Sequence, residues 1–170
     1  MSLPPDRTPA YPPVRYGAAT GEISAVPRSA DAGPDLVMPA TRVDHLATGA
    51  TTGGDFGLYR WTMPGPPTGP EPHFHRTMTE SFFVLSGTVR LYDGRSWTEA
   101  GPGDFLHVPV GGVHAFRNDS GAPAELLLLF TPGAPREAYF AELAELAASG
   151  RTLSDGERAA FEAAHDQYPA

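Results

Sequence analysis

Cysteine is absent from this chain of 170 residues. Without thiols there is no disulfide framework and no thiolate metal site, so a bound metal must be held by imidazole, carboxylate or water. The sequence also lacks any run of about 18 apolar residues, the length that a membrane-spanning helix requires. Residues 1–30 hold prolines and charges rather than the apolar centre of a signal peptide. These absences predict a soluble protein of the cytoplasm.

Positive charge is scarce as well. Twelve arginine residues, with no lysine, stand against 20 aspartate and glutamate residues, which leaves a net charge of -8. A protein with this balance repels polyanions at long range, and no local basic cluster offsets that repulsion. The sequence therefore argues against nucleic acid and an anionic membrane as partners, and it favours a small-molecule organic ligand.

Glycine and proline are abundant, with 19 residues of each, a composition that suits many short strands better than helices. Between residues 41 and 131 the chain breaks into short apolar runs separated by turn residues. This pattern predicts an all-β antiparallel sandwich or barrel. The predicted strands are TRVDHLAT, DFGLYRWTM, PHFHR, TESFFVLS, TVRLYD, SWTEA, DFLHVP, VHAFRN and AELLLLFT.

The two ends of the chain differ from this central part. Residues 1–35 are rich in proline and have no sustained period, so we expect an arm that is disordered or lies across a neighbouring subunit. Residues 36–132 should form the β-barrel, and residues 133–170 a helical extension. One helix is predicted over PREAYFAELAELAA, and a second at Ser154, where SDGE matches a capping box.

Histidine and glutamate cluster in the stretch EPHFHRTMTESFFVLSG. Side chains two residues apart in a strand share a face, so His73 and His75 should point together, and an antiparallel return brings Glu80 beside them. Three ionisable groups facing an apolar interior need partners or a metal ion. The alternative places them on the solvated face of a hairpin and predicts Phe74 and Phe83 in the core.

A second stretch, GDFLHVPVGGVHAFRN, favours the metal site. Its glycine pair allows a sharp turn that places His114 at the start of the next strand. One hairpin cannot surround an ion, so a ligand from a separate strand completes the site. His45 and His165 lie far from both stretches and are not expected to be ligands, whereas His107 either lines the cavity or faces outward.

Together the two stretches resemble the two conserved motifs of the cupin superfamily. The residues that match the first motif are His73, His75, Glu80 and Gly87. Those that match the second are Gly103, Pro109, Gly111, His114 and Asn118. The leading glycine of the first motif has no counterpart at the expected spacing, since Gly65 and Gly69 are both offset from it.

The resemblance implies a cupin double-stranded β-helix, a jelly-roll barrel with an N-terminal arm and C-terminal helices. It also implies that His73, His75, Glu80 and His114 hold one divalent transition metal ion. Fe, Mn, Ni, Co, Cu and Zn all suit such ligands. Cupins of this size often pair through exposed strands, so we expect a homodimer.

The same resemblance implies an enzyme similar to quercetin dioxygenases, which would be a metal-dependent dioxygenase acting on an aromatic or enolisable, flavonol-like molecule. Glu80 would then be the catalytic base. The alternatives are a metal-dependent polyketide cyclase, an isomerase and a non-catalytic small-molecule-binding cupin. Strand parity predicts a cavity lined by Phe82, Val84 and Phe116, with Tyr59, Trp61 and Met63, or else Leu58 and Arg60, from the preceding strand.

Overall fold

The computed structural model describes residues 11–170, so predictions for the first ten residues of the arm lie outside the described residues. Residues 11–35 contain no helix or strand. The elements that follow are β1 (Leu36–Met38), β2 (Thr41–Ala47), β3 (Gly57–Met63), β4 (His73–Phe74), β5 (Thr79–Ser86), β6 (Val89–Tyr92), β7 (Trp97–Ala100), β8 (Phe105–Val108), β9 (Ala115–Arg117), β10 (Ala124–Thr131), α1 (Arg136–Ser149), α2 (Asp155–Ala164) and β11 (Tyr168–Pro169).

The strands form a mostly β, jelly-roll architecture. The largest sheet among the described residues has the order β1-β2-β3-β10-β5-β8, and a second has the order β7-β6-β9. All strand pairs are antiparallel. The prediction of an all-β barrel is therefore confirmed.

The hydrophobic core lies between these two sheets and is closed by α1. Alternation in β10 sends Leu126, Leu128 and Phe130 inward, as expected for a strand with one buried face. The second sheet contributes residues such as Leu91, and the helix contributes Phe140. A core built from two sheets and a helix fixes the positions of the strand ends that carry the histidines.

Each strand predicted from the sequence corresponds to an observed strand, and the limits of β5 and β10 match the prediction. The short strands β1 and β11 were not predicted. They have three and two residues, so their sequences show too little alternation to reveal them, and each depends on its partner strand.

The two predicted helices are both present. Gly150 ends α1 in the left-handed conformation, with φ 65°, which glycine adopts readily. Ser154 begins α2, and its side chain and that of Glu157 form the predicted capping box. Within residues 11–170, no helix is both long and apolar enough to cross a membrane.

Candidate metal centre

Four side chains from three segments meet at one end of the barrel. His73 belongs to β4, Glu80 to β5, and His114 directly precedes β9. The backbones of His73 and His114 pair as an antiparallel bridge, with N···O distances of 3.0 and 2.9 Å. His75 lies just after β4, on the same side of the chain as His73. The strand parity predicted from the sequence therefore brings the imidazoles together.

The turn before His114 has a defined backbone. Gly111 has φ 80°, in the left-handed region that favours glycine. Its amide donates a hydrogen bond to the carbonyl of His75 at 2.8 Å. The PVGG turn thus ties the segments that carry His75 and His114 to each other.

The four candidate ligands form a compact buried cluster. Their ligating atoms all lie within 4.8 Å of one another, and all four residues are buried. The Nε2 atoms of His75 and His114 lie 3.1 and 2.8 Å from Oε2 of Glu80. One carboxylate oxygen is therefore shared by two buried imidazoles.

Backbone carbonyls fix the hydrogen on each imidazole. The Nδ1 atoms of His73, His75 and His114 donate to the carbonyls of Glu71, Asp166 and Gly112 at 2.8, 2.6 and 2.9 Å. A carbonyl can only accept, so Nδ1 carries a hydrogen in all three rings. The Nε2 atoms are left to face the cluster, which is how outer partners orient metal-binding histidines in proteins.

This arrangement calls for a positive charge between the rings and Glu80. A neutral ring with hydrogen on Nδ1 presents a lone pair at Nε2, and that lone pair would repel a carboxylate oxygen 2.8 Å away. A proton or a metal cation must lie between the two atoms. Because three imidazoles and one carboxylate suit transition metals, the cluster could hold a metal ion, as the sequence predicts.

The protonation states agree with this chemistry. Burial lowers the pKa of His73 to about 4, so its Nε2 lone pair is available at neutral pH. Burial would raise the pKa of Glu80, but hydrogen bonds with His114 and His75 outweigh that effect and hold it well below its usual range. Burial would lower the pKa of His114, but the hydrogen bond with Glu80, the negative charge of Glu80 and the hydrogen bond with the carbonyl of Gly112 together outweigh burial and raise the pKa. Glu80 is therefore ionised at neutral pH.

A cavity of about 710 Å³ opens beside the cluster, between the barrel and the C-terminal helices, and both His73 and Glu80 line it. The apolar part of its wall includes Trp61, Phe116, Leu128, Phe140 and Leu143.

The sequence correctly predicted that Trp61 and Phe116 line this cavity. The prediction was wrong for Phe82, Val84, Tyr59 and Met63, which are fully buried in the core, because the inner face of each strand extends beyond the cavity into packed interior. Leu58 and Arg60 are not part of the lining either.

The alternative of a solvated hairpin is wrong. It requires Phe83 in the core, yet Phe83 is 40% exposed while Glu80 on the opposite face is 4% exposed. Phe74 is half-buried and stacks on Tyr168 with ring centroids 5.5 Å apart. Glu80 thus faces the interior, whereas Phe83 faces solvent and Phe74 packs against the C-terminal segment.

The other histidines lie outside the cluster. His107 is exposed, and its Nδ1 lies 2.9 Å from the hydroxyl of Ser81, so it faces outward. His45 packs edge-on against Tyr59. His165 follows α2 and lies 3.4 Å from a carboxylate oxygen of Glu142.

Asn118 of the second motif and the offset Gly69 both shape the backbone near the cluster. Asn118 is buried and its amide donates to the carbonyl of Ala122 at 2.7 Å, while its backbone pairs with Thr68. Gly69, one of the two glycines offset from the family spacing, has φ 147°, and a Cβ there would lie 2.0 Å from the carbonyl oxygen of Phe116. The loop before His73 therefore needs a glycine at this contact.

Two residues near the centre were not predicted from the sequence. Asp166 supplies the carbonyl that accepts from His75, and Arg136 lines the cavity. Both lie in the C-terminal extension, which the family motifs do not cover. The sequence did contain an indication for Arg136. A cation in the first turn of a helix is opposed by the helix dipole, so its presence there indicates a role other than stabilising the helix.

Comparison with known proteins agrees with the fold and the cluster. A family model described as the cupin domain matches residues 60–130. The protein contains a cupin domain. The four clustered residues all lie inside the matched cupin region.

Relatives of this cupin include one curated enzyme. The quercetin 2,3-dioxygenase of Bacillus subtilis is 42% identical over 48 residues, which are 28% of this chain and 14% of that protein. The chain therefore matches a small part of that relative's length.

Solved structures share the fold. A predicted oxalate decarboxylase from Thermotoga maritima is 19% identical, with a TM-score of 0.56 over 64% of this chain and 99% of that one. The polyketide cyclase RemF from Streptomyces resistomycificus is 23% identical, with a TM-score of 0.52 over 63% of this chain and 80% of that one. At these identities the likeness concerns the cupin fold.

Proposed function

We propose that this cupin is a metal-dependent dioxygenase that acts on an aromatic or enolisable small molecule. The observation that carries the proposal is the position of the cluster of three histidines and Glu80 at the wall of a largely apolar cavity of about 710 Å³. The local identity to quercetin 2,3-dioxygenase supports the same reaction class.

The size and lining of the cavity favour an organic substrate. Its volume of about 710 Å³ lies within the range common for small-molecule sites. Aromatic side chains of Trp61, Phe116 and Phe140 form part of the wall, and they offer planar apolar surfaces for a substrate ring. Enclosure between the barrel and the helices would also keep bulk water away from a bound substrate.

His73, His75, Glu80 and His114 would hold one divalent ion. Such an ion would supply Lewis acidity toward a substrate oxygen. The three backbone carbonyls keep the Nε2 atoms directed at one point, so little reorganisation is needed. We assign Glu80 the role of base, because its ionised carboxylate borders the cavity and can accept a proton from a substrate hydroxyl.

Oxygen consumption tests the reaction class. Protein purified without added metal would first be analysed for metal content, and then mixed with a flavonol and with other enolisable aromatics at an oxygen electrode. A dioxygenase places both atoms of O2 in the substrate, so uptake should equal substrate consumed. Product without uptake would indicate a cyclase or isomerase instead, and neither uptake nor product would indicate a binding protein.

The role of Glu80 is tested by Glu80→Gln, which keeps the shape of the side chain and removes its charge. Turnover should fall by about 100-fold or more, in line with loss of a general base. Glu125→Gln is the matched control, because Glu125 is half-buried and bonded to Thr62 on the other side of the sheet. Full turnover by a metal-loaded Glu80→Gln protein would show that the base assignment is wrong.

A further inference from the structure

Arg136 is a buried cation at the cavity wall. It is the first residue of α1 and is 4% exposed. Its guanidinium carbon lies 4.2 Å from the ring centroid of Tyr139, and 5.2 and 5.5 Å from those of Phe130 and Phe140. Aromatic faces attract a cation, but they do not neutralise its charge.

The protein satisfies only part of the hydrogen-bonding capacity of this side chain. A guanidinium has five N–H donors. One terminal nitrogen donates to the carbonyl of His165 at 2.8 Å, and the other to the side chain of Gln167 at 3.4 Å. Nε has no acceptor among residues 11–170, and no carboxylate of that part of the chain forms an ion pair with Arg136.

This placement is electrostatically unfavourable. Burial lowers the pKa of Arg136, yet an arginine keeps its proton in a protein. Its position in the first turn of α1 sets the cation against the positive end of the helix dipole. A neutral side chain could bond to the same carbonyl without these costs. The hydrogen bonds of Arg136 to the C-terminal segment therefore do not explain why a charged residue occupies this position.

Glu80 is the acidic group whose charge most favours the Arg136 cation. Both residues line the same cavity. However, Glu80 is bonded to His75 and His114, and a cation held by that cluster would compete for its charge. The electrostatic field at the cavity wall beside Arg136 therefore favours an anion.

We propose that Arg136 forms an anion subsite of the cavity, which binds the carboxylate or phenolate of an organic molecule whose apolar body packs against the aromatic wall. The inference rests on the proposed function in using the same cavity, and it adds that the substrate carries a negative charge. A planar oxyanion group suits the donor fork of arginine.

Equilibrium binding tests the subsite without any turnover. Cinnamate and cinnamamide have nearly the same shape and differ in charge, and their binding to the metal-loaded protein can be followed by calorimetry. The subsite predicts that cinnamate binds tighter by about tenfold or more, as expected for a buried charge-assisted contact. Equal affinities would overturn it. Because no oxygen is consumed, failure of the dioxygenase proposal would leave this result unaffected.

Arg136→Gln separates the subsite from direct binding of the carboxylate by the metal. With metal content matched to that of the unaltered protein, the preference for cinnamate should disappear while affinity for cinnamamide changes little. The control is Arg158→Gln, since Arg158 borders the same cavity from α2 but is exposed. It should retain the preference. A preference that survives in Arg136→Gln would overturn the proposal.

Arg136 also holds the C-terminal segment, so folding of the variant must be checked by circular dichroism and thermal melting. If Arg136→Gln does not fold, Arg136→Lys provides the second test, because it keeps the charge and loses the donor fork. The ratio of the two affinities should then fall by about threefold or more. An unchanged ratio in a folded Arg136→Lys protein would contradict the subsite.

Discussion

Each histidine of the cluster is held by its own backbone carbonyl, and this fixes its chemistry. Glu71, Asp166 and Gly112 each accept from an Nδ1 atom, so the ring orientation and the tautomer are set before any metal arrives. Metal affinity should therefore depend on individual side chains rather than on the general polarity of the pocket.

Replacing His114 by Ala should lower metal content steeply. Loss of an outer partner alone costs about 10- to 100-fold in metal affinity, and loss of a ligand should cost at least as much. His107→Ala is the control, because that histidine is exposed and bonded to Ser81 on the outer face. Elemental analysis of both purified variants gives the answer. Equal metal content in the two would contradict the site.

Sequence patterns predicted that these four residues would cluster, because their positions follow from short-range geometry. His73 and His75 share a face through strand parity, and the PVGG turn places His114. Arg136 and Asp166 could not be found this way. Asp166 meets His75 across 91 positions of sequence, and no local period reports a contact of that range.

At the scale of elements, the last six residues form a C-terminal strap, residues 165–170. Within it, β11 pairs with β4, and the amide of Ala170 donates to the carbonyl of Pro72 at 3.2 Å. The carboxylate of Asp166 accepts from the amides of Arg76 and Thr77 at 3.0 and 2.9 Å. The strap therefore positions the carbonyl that orients His75. Its two-residue strand was missed from the sequence because it exists only against β4.

Asp166→Ala should weaken metal binding without removing a ligand. Asp166 has φ 56°, a conformation that aspartate tolerates better than alanine. The change should therefore destabilise the strap and leave the carbonyl of residue 166 less well positioned for its hydrogen bond with His75. Affinity should fall by about tenfold, the lower end of outer-partner effects. Competition with a chromophoric chelator measures it, and Asp31→Ala in the exposed segment before β1 is the control. Unchanged affinity would mean that the strap does not orient His75.

The capping box of α2 should make stability depend on pH. Hydrogen bonds from the backbone and side chain of Ser154, and then from Arg151, lower the pKa of Glu157 to about 2. A lowered carboxyl pKa stabilises the fold above the unfolded value of 4.5, and the effect is lost as pH falls toward 2.

Thermal melts of the unaltered protein and Glu157→Gln at several pH values test this. The unaltered protein should melt higher at pH 7, and the difference should shrink steadily as the pH falls from about 4.5 to about 2. Titrating groups elsewhere affect both proteins equally, so the difference between the two melting temperatures reports the contribution of the Glu157 charge alone. A difference that is constant across this range would show that the charge of Glu157 adds no stability.

At the scale of the whole molecule, one edge of the large sheet combines a strand that is paired on one side only with exposed aromatic residues. Among residues 11–170, the sheet ends at β8. There Phe105 is 60% exposed, and its partner in register, Phe83, is 40% exposed. Open edges invite pairing with another strand, and adjoining apolar surface marks interaction sites. We therefore predict that the expected homodimer, if it forms, has its contact at β8.

Light scattering coupled to size exclusion tests this assembly. A chain of 18.0 kDa should elute with twice that mass at micromolar concentration, and Phe105→Ser should shift it toward the monomer because burial of the ring drives association. Val37→Ser is the matched control, since Val37 is 63% exposed on β1, the opposite edge of the same sheet. A monomeric unaltered protein would refute the dimer. Dissociation by Val37→Ser instead of Phe105→Ser would move the interface to the β1 edge and leave the aromatic pair on β8 without this role.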